Sequence, residues 1–271
     1  MKDKGEFIEE TTGKGRKWKV SVAIPGDCVK TAQSGPLRAY LAGQIARAAT
    51  LFNVDHIIVY SEKAEHVGTM EEIWRDNEPN SQEKLNPHAF LARLLSYLEA
   101  PQYLRQTLFP MHPDLSFAGL TPLEATHHGT VFNATLQSAY REGVITRLSS
   151  NPKKPGSYAN IGLHKDVRLP SALPVGTRTT VHLQRPTSGK PRACAVPRAA
   201  PREREGLYWG YEVSLCSRLG EVLEGGGYDL VVGFSDRDSA GWCCEVGDEE
   251  LFGGGCLRNV LVVLGGSEGV R

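Results

Sequence analysis

The sequence predicts an α/β protein in which a parallel β-sheet is interrupted by a small inserted β-barrel. Residues 230–232 and 260–264 are short, almost unbroken apolar runs rich in β-branched residues. Such runs are typical of strands buried on both faces of a parallel sheet. Between residues 126 and 205, several short β-like runs are separated by Pro, Gly and Ser, which favours a barrel of short strands.

The amino-terminal part predicts a β-strand, a helix and a second strand. Residues 18–24 alternate and are rich in Val, and residues 55–60 form the next apolar run. Between them, Ser34 can cap a helix and Pro36 falls in its first turn, followed by apolar residues at three- and four-residue spacing. We therefore expect a right-handed βαβ unit with parallel strands.

The next segment predicts one further helix between less regular stretches. Residues 62–83 are acidic and lack periodicity, so we expect a surface loop. Asn86 and Pro87 open a second helix with leucines on one face, and Pro101 ends it. Residues 101–123 contain many prolines and aromatics and are interpreted as an ordered connector.

The proposed barrel contains five strand-like runs. They lie at residues 143–148, 157–163, 167–169, 177–183 and 192–196. Five short strands with a basic surface suit an OB-like module. The predicted domains are therefore residues 1–125 (first part of the α/β domain), 126–205 (OB-like insert) and 206–271 (second part of the α/β domain).

After the insert, the chain is expected to return to the parallel sheet. The apolar spacing predicts a helix around residues 215–223, broken by three glycines, and the two apolar strands follow. Tyr208, Trp209 and Tyr211 form an aromatic cluster that either stacks on bases or contributes to the core.

Charge is unevenly distributed along the chain, although 31 basic and 31 acidic residues give a net charge of zero. Residues 141–205 contain thirteen Lys or Arg against four acids, so this segment carries +9 and the remainder −9. Clustered basic side chains attract a polyphosphate backbone, which makes RNA the expected partner. A solvated basic surface without a ligand remains the alternative.

The sequence gives no sign of a membrane, a disulfide or a metal site. No apolar run reaches the length of a membrane span and the charged start lacks a secretory signal, so we expect an intracellular protein. The six cysteines include no CxxC pair, and Cys243, Cys244 and Cys256 have no histidine nearby. His127 and His128 are consecutive and project in different directions, which argues against a shared metal ion.

Polar and glycine residues follow both apolar strands of the carboxyl-terminal part. In open α/β sheets, ligands bind beyond the carboxyl ends of the strands, where we expect a site at Ser235, Asp236, Arg237, Gly265 and Gly266. The glycine-rich loop is not a dinucleotide fingerprint and no Walker lysine is present, which argues against a nucleotide-dependent enzyme. A tight turn without a ligand is the remaining alternative for this loop.

The chain resembles the RNA methyltransferases of the SPOUT superfamily that carry an inserted OB-like domain. The similar stretches are residues 20–25, 37–48, 101–105, 117–120, 206–211, 228–230 and 262–269. The most specific of them are Leu-Arg-Ala-Tyr-Leu-Ala-Gly-Gln-Ile-Ala-Arg-Ala, which begins at Leu37, and Gly-Leu-Tyr-Trp-Gly-Tyr, which begins at Gly206. The similarity extends over nearly the whole chain.

The resemblance implies a Rossmann-like α/β-knot domain and a homodimer. It also implies S-adenosylmethionine bound in a trefoil knot and methyl transfer to an RNA base, with ribosomal RNA as the expected substrate. Arg237, Gly265 and Gly266 match cofactor-binding positions of the family, and glycine there lets the backbone approach the ligand closely. Arg38 matches a position expected to have a catalytic or substrate-positioning role.

The chain also departs from the pattern of this family. Relatives continue beyond the Gly-Gly loop through another strand, an Asn-Thr loop and a helix that complete the knot. Here the sequence ends at Arg271, so we expect a carboxyl-terminally truncated member. The alternative function is therefore a non-catalytic RNA-binding factor that has lost cofactor binding.

Overall fold

The computed structural model describes residues 15–63, 65–75, 86–129, 139–151, 155–184, 192–234 and 257–265. In chain order the strands are β1 (Lys19–Pro25), β2 (His56–Tyr60), β3 (Tyr140–Leu148), β4 (Ser157–Asn160), β5 (Val167–Leu169), β6 (Arg178–Gln184), β7 (Arg192–Val196), β8 (Glu212–Cys216), β9 (Leu230–Phe234) and β10 (Asn259–Leu264). The α-helices are α1 (Gly35–Leu51), α2 (Met70–Arg75), α3 (Pro87–Glu99), α4 (Gln102–Leu108), α5 (Ala200–Glu205) and α6 (Leu219–Gly225). Shorter 3-10 helices cover Gly26–Thr31, Pro113–Leu120 and Thr126–His128.

The first sheet is parallel, and its strands lie in the order β8, β2, β1, β10, β9. Val22 in β1 is level with Ile57 in β2 on one side and with Val262 in β10 on the other. The two apolar strands predicted from the carboxyl-terminal sequence, β9 and β10, are neighbours in this sheet. Because all five strands run in the same direction, their carboxyl ends meet at a single edge.

Helices cover both faces of the parallel sheet. The predicted βαβ unit is present as β1, α1 and β2, and Ser34 accepts a hydrogen bond from the Leu37 N–H as the expected cap. On one face, α1 and α3 bury a core with Ile57 and Leu94 at its centre. On the other face, α6 packs Val222 against the sheet. This arrangement confirms the predicted α/β class.

The second sheet is antiparallel, with strand order β5, β4, β3, β6, β7. All five strand-like runs of the sequence are strands in the structure, and residues 167–169 and 192–196 match their predicted bounds. Its own core contains Ile145, Ile161 and Val181. The whole sheet lies in sequence between β2 and β8, which pair directly with each other.

Three local predictions were wrong. Strand β9 is not buried on both faces, because it is the outer strand of the sheet and leaves Val231 46% and Phe234 50% exposed. The stretch read as a loop over residues 62–83 contains α2. The helix expected around residues 215–223 begins only at Leu219, because Glu212–Cys216 forms β8 beside β2.

Among the described residues, no helix combines the length and the apolar character needed to cross a lipid bilayer. Cys28, Cys194 and Cys216 form no disulfide. The other three cysteines lie outside the described residues.

Candidate functional site

A cavity of about 1310 Å³ lies between α1 and the parallel sheet and extends to the carboxyl edge of that sheet. Its walls are apolar and come from β1, β10 and the side of α1 that faces them. They include Val20, Val22, Ile24, Leu41, Ile45, Phe52, Val262 and Leu264. Its mouth is polar and contains Asp27, Lys30, Glu62 and Gly265. The polar end of the cavity therefore lies at the position at which ligands bind to open α/β sheets.

Charged groups meet where β1 ends. The Lys30 Nζ atom lies 2.7 Å from Asp27 Oδ1, and His88 Nε2 lies 3.7 Å from the same oxygen. Position 26 is a glycine because a side chain there would overlap the His88 ring. Burial lowers the pKa of His88 and outweighs the charge of Asp27, which raises it. The imidazole is therefore neutral near pH 7.

Hydrogen bonds tie the strand ends together at this edge. The Tyr60 hydroxyl at the end of β2 donates to the Leu264 carbonyl at the end of β10, at 2.8 Å. Burial, with a contribution from the charge of Glu62, raises the pKa of Tyr60 to about 12, so the phenol keeps its proton. The Gly265 N–H donates to the Phe234 carbonyl at 2.7 Å and joins the end of β10 to that of β9.

The predicted site residues differ in where they lie relative to the cavity. Gly265 lines the cavity mouth. Arg38 is half-buried in the first turn of α1 at the same edge, but it does not line the cavity, and its Nε donates to the Ala32 carbonyl at 3.1 Å. Arg237 and Gly266 lie outside the described residues, as do Ser235 and Asp236.

Sequence reasoning missed Asp27, Lys30 and Glu62. A signal for them was present, because they directly follow the first two predicted strands. The rule that ligands bind beyond carboxyl strand ends covers every strand of a parallel sheet. Applied to all parallel strands, it indicates these three side chains as well.

A second polar centre joins the two sheets. Glu99, at the end of α3, is 4% exposed and accepts two hydrogen bonds from Arg178 of β6, at 2.7 and 3.0 Å. Arg198 donates to the same carboxylate at 2.7 Å. Burial alone would raise the pKa of Glu99, but the two arginines hold that pKa well below its usual value. The carboxylate is therefore ionised although it is buried.

The aromatic cluster and the histidine pair belong to this junction. Tyr208, Trp209 and Tyr211 are all buried, so they contribute to the core rather than to a stacking surface. His127 Nε2 lies 2.8 Å from the Glu99 carbonyl oxygen, and His128 Nε2 lies 2.7 Å from it. Within the described ranges, no group of three His, Cys, Asp or Glu side chains is arranged to hold a metal ion.

The chain is similar to known proteins along most of its length. A model of the protein family described as "Putative RNA methyltransferase" matches residues 19–271. The chain is 39% identical over 274 residues to the human protein named "28S rRNA (uridine-N(3))-methyltransferase". It is 40% identical to the mouse protein and 38% identical to the Drosophila melanogaster protein of the same name.

These alignments cover 98%, 97% and 93% of the chain, respectively. They cover 69% of the human, 66% of the mouse and 52% of the fly protein. The chain therefore spans between about half and just over two thirds of the length of these relatives.

Proposed function

The chain belongs to the RNA methyltransferase family, and from this membership we propose that it transfers a methyl group from S-adenosylmethionine to a ribosomal RNA base. The activity in the names of the relatives makes N3 of uridine the target that we propose. The observation that carries the proposal is the large cavity at the carboxyl edge of the parallel sheet, lined by the predicted residue Gly265.

The residues around this cavity fit S-adenosylmethionine. The donor joins a positively charged sulfonium centre to an adenosine, so it suits apolar walls with carboxylates at the mouth. Among the described residues, Glu62 Oε1 is buried without a hydrogen-bond partner, which leaves an acceptor for a ligand group. Gly265 has no side chain and lets a ligand approach the backbone closely.

When bound, the donor supplies an electrophilic methyl group, and the protein has to place the base nitrogen in line with it. N3 of uridine carries a proton that must leave during methylation. Asp27 and Glu62 are carboxylates at the cavity mouth that can accept this proton. Arg38, in the first turn of α1, is proposed to orient the RNA from the same edge of the sheet.

We propose that the parallel domain is of the SPOUT type and that residues 126–205 form an OB-like insert. Insertion of β10 between β1 and β9 supports the first assignment. The second is supported by the five-stranded antiparallel sheet, whose outer strands β5 and β7 contact each other as in a closing barrel. The exposed apolar residues Leu37 and Tyr40 on α1 support the proposed homodimer.

Titration calorimetry with S-adenosylmethionine tests the cofactor site, and transfer of a labelled methyl group to ribosomal RNA tests the reaction. We expect saturable binding and N3-methyluridine in the digested product. The variant Glu62→Gln removes a carboxylate from the cavity mouth and should weaken donor binding. Glu71→Gln is the matched control, because Glu71 is an exposed carboxylate on α2 away from the cavity.

Absence of binding heat at millimolar donor would overturn the proposal. If RNA still bound under those conditions, the non-catalytic RNA-binding factor would be the better interpretation. Equal donor affinity of the wild type and Glu62→Gln would remove Glu62 from the proposed site.

A further inference from the structure

The outward face of the second sheet carries an aromatic side chain between two arginines. In the strand register, Tyr158 of β4 lies directly opposite Arg147 of β3 on one side and Arg168 of β5 on the other. Ala159 and Leu169, the next residues along β4 and β5, point into the core of this sheet. Because side chains alternate along a strand, the row of Arg147, Tyr158 and Arg168 points outward.

A β-bulge sets the position of Arg147 in this row. The register between β3 and β4 shifts between Ile145 and Arg147, which places Arg147 rather than Thr146 opposite Tyr158. The Arg147 guanidinium carbon then lies 4.1 Å from the centre of the Tyr158 ring. The two side chains form a stacked, planar and positively charged surface.

The surroundings of the row are basic and partly apolar. Arg147, Arg168 and Lys165 are exposed, and Arg168 Nη2 also donates to the Pro155 carbonyl at 3.2 Å. Asp166 is a neighbouring exposed acid whose carboxylate accepts a hydrogen bond from Thr146. Leu148, at the end of β3, is also exposed. In proteins that bind single-stranded nucleic acids, basic side chains contact the phosphates and aromatic rings stack on the bases. This face offers both kinds of group.

Other arginines of the basic segment are engaged inside the protein. Arg178 and Arg198 pair with the buried Glu99, and Arg202 pairs with Asp55. The charge excess of residues 141–205 is therefore only partly available to a partner. The row around Tyr158 is a place where this charge reaches the surface together with an aromatic ring.

We propose that the face formed by Arg147, Tyr158 and Arg168 binds single-stranded RNA, with a base stacked on the Arg147–Tyr158 pair and a phosphate held by Arg168. The proposal rests on the proposed RNA methyltransferase function and specifies how the substrate is held. An unpaired strand is required, because the bases of a duplex are stacked on each other and cannot stack on a side chain.

Fluorescence anisotropy of the full chain with a labelled single-stranded RNA oligonucleotide tests this surface. Tyr158→Ala should weaken binding roughly 5- to 150-fold, the range that corresponds to loss of one stacked base. Tyr158→Phe keeps the ring and should bind as the wild type does. Arg168→Gln should reduce the slope of log affinity against log salt by about 0.7, as expected for one lost phosphate contact.

Two matched controls come from other parts of the chain. Trp18→Ala removes the aromatic member of a similar pair, since the Arg16 guanidinium lies 4.4 Å from the Trp18 ring centre. Arg75→Gln removes an exposed arginine of α2. Neither change should alter RNA affinity. The urea midpoint of each variant separates loss of binding from loss of folding, which matters for Arg168→Gln because Arg168 also donates a hydrogen bond to the Pro155 carbonyl.

Wild-type RNA affinity in both Tyr158→Ala and Arg168→Gln would overturn the inference, as would tighter binding of the matched duplex than of the single strand. If those variants bind RNA normally while the wild type binds S-adenosylmethionine and methylates RNA, only this surface is wrong. If the variants lose RNA but the wild type binds no donor, the surface stands and the proposed reaction fails.

Discussion

At the residue scale, the buried Glu99 connects the two sheets. Its oxygens receive hydrogen bonds from Arg178 in the antiparallel sheet and from Arg198 in the segment that leads back to the parallel sheet. The partners of this single side chain therefore come from both sides of the junction. Removing one partner of a buried ion pair destabilises a protein far more than the intact pair stabilises it.

The variant Glu99→Gln should lower the free energy of unfolding by about 3 kcal/mol, the lower end of the range for a broken buried pair, because Arg198 loses its carboxylate partner while Arg178 keeps Glu142. Urea denaturation followed by far-UV circular dichroism measures the change. Glu71→Gln is the control, since Glu71 and Arg75 are both mostly exposed and such a pair contributes about 0–1 kcal/mol. Equal midpoints for the two variants would contradict the role given to Glu99.

The sequence predicted the site only where a local rule applied. Gly265, which lines the candidate cavity, was predicted because it follows a recognisable strand, and Asp27 and Glu62 were accessible to the same rule. Glu99 was not accessible, because its arginine partners lie 79 and 99 residues further along the chain. No periodicity or spacing indicates an ion pair between residues so far apart.

At the element scale, helix α1 packs closely against the connector that follows α4. Gly43 is buried on α1, and a side chain there would overlap Thr121. By contrast, Gly220 in α6 has open space around the position of a side chain. Two helical glycines thus differ only in their surroundings.

We expect Gly43→Ala to destabilise the protein by about 1–3 kcal/mol through overpacking, although alanine is the better helix former. Gly220→Ala should instead stabilise it by up to about 1 kcal/mol, the difference in helix propensity. Thermal unfolding of both variants measures whether each change raises or lowers the stability. A stabilising Gly43→Ala would show that the connector moves aside at little cost.

The elements themselves were predicted well where sequence pattern and tertiary setting agree. β5 and β7 have their predicted bounds because polar and Pro-containing segments flank short strands on both sides. Helix α2 was missed because its stability depends on a distant contact. The buried Arg93 of α3 donates to the Ile73 carbonyl at 2.8 Å and to Asp114 at 2.6 Å.

At the scale of the whole molecule, the stability should decrease in mild acid. Burial, the largest cause in each case, lowers the pKa of His56 and of His88 below the ordinary value of about 6.5. Between the folded and the unfolded pKa, the unfolded chain binds more protons, so protonation favours unfolding. The stability that these two histidines contribute is fully present above about pH 6.5 and is lost progressively as the pH falls from there to their lower pKa values in the folded protein.

Urea titrations at pH 7.5, 6.5 and 5.5 measure this dependence. Burial also lowers the pKa of His128, to about 4, so the double variant His56→Gln with His88→Asn removes two of three such groups, and its free energy of unfolding should change less over the same interval than that of the wild type. A wild-type protein whose stability rose between pH 7.5 and 5.5 would contradict the assignment of both histidines as neutral.

The position of β10 has a consequence for how the protein is made. This strand, the last one described, lies between β1 and β9, and its residue Asn259 is level with Lys19 near the start of the described chain. During synthesis, β1 and β2 leave the ribosome long before the strand that separates β1 from β9. We therefore expect one edge of β1 to stay unpaired until β10 has been synthesised, and pairing between strands so far apart in sequence slows folding.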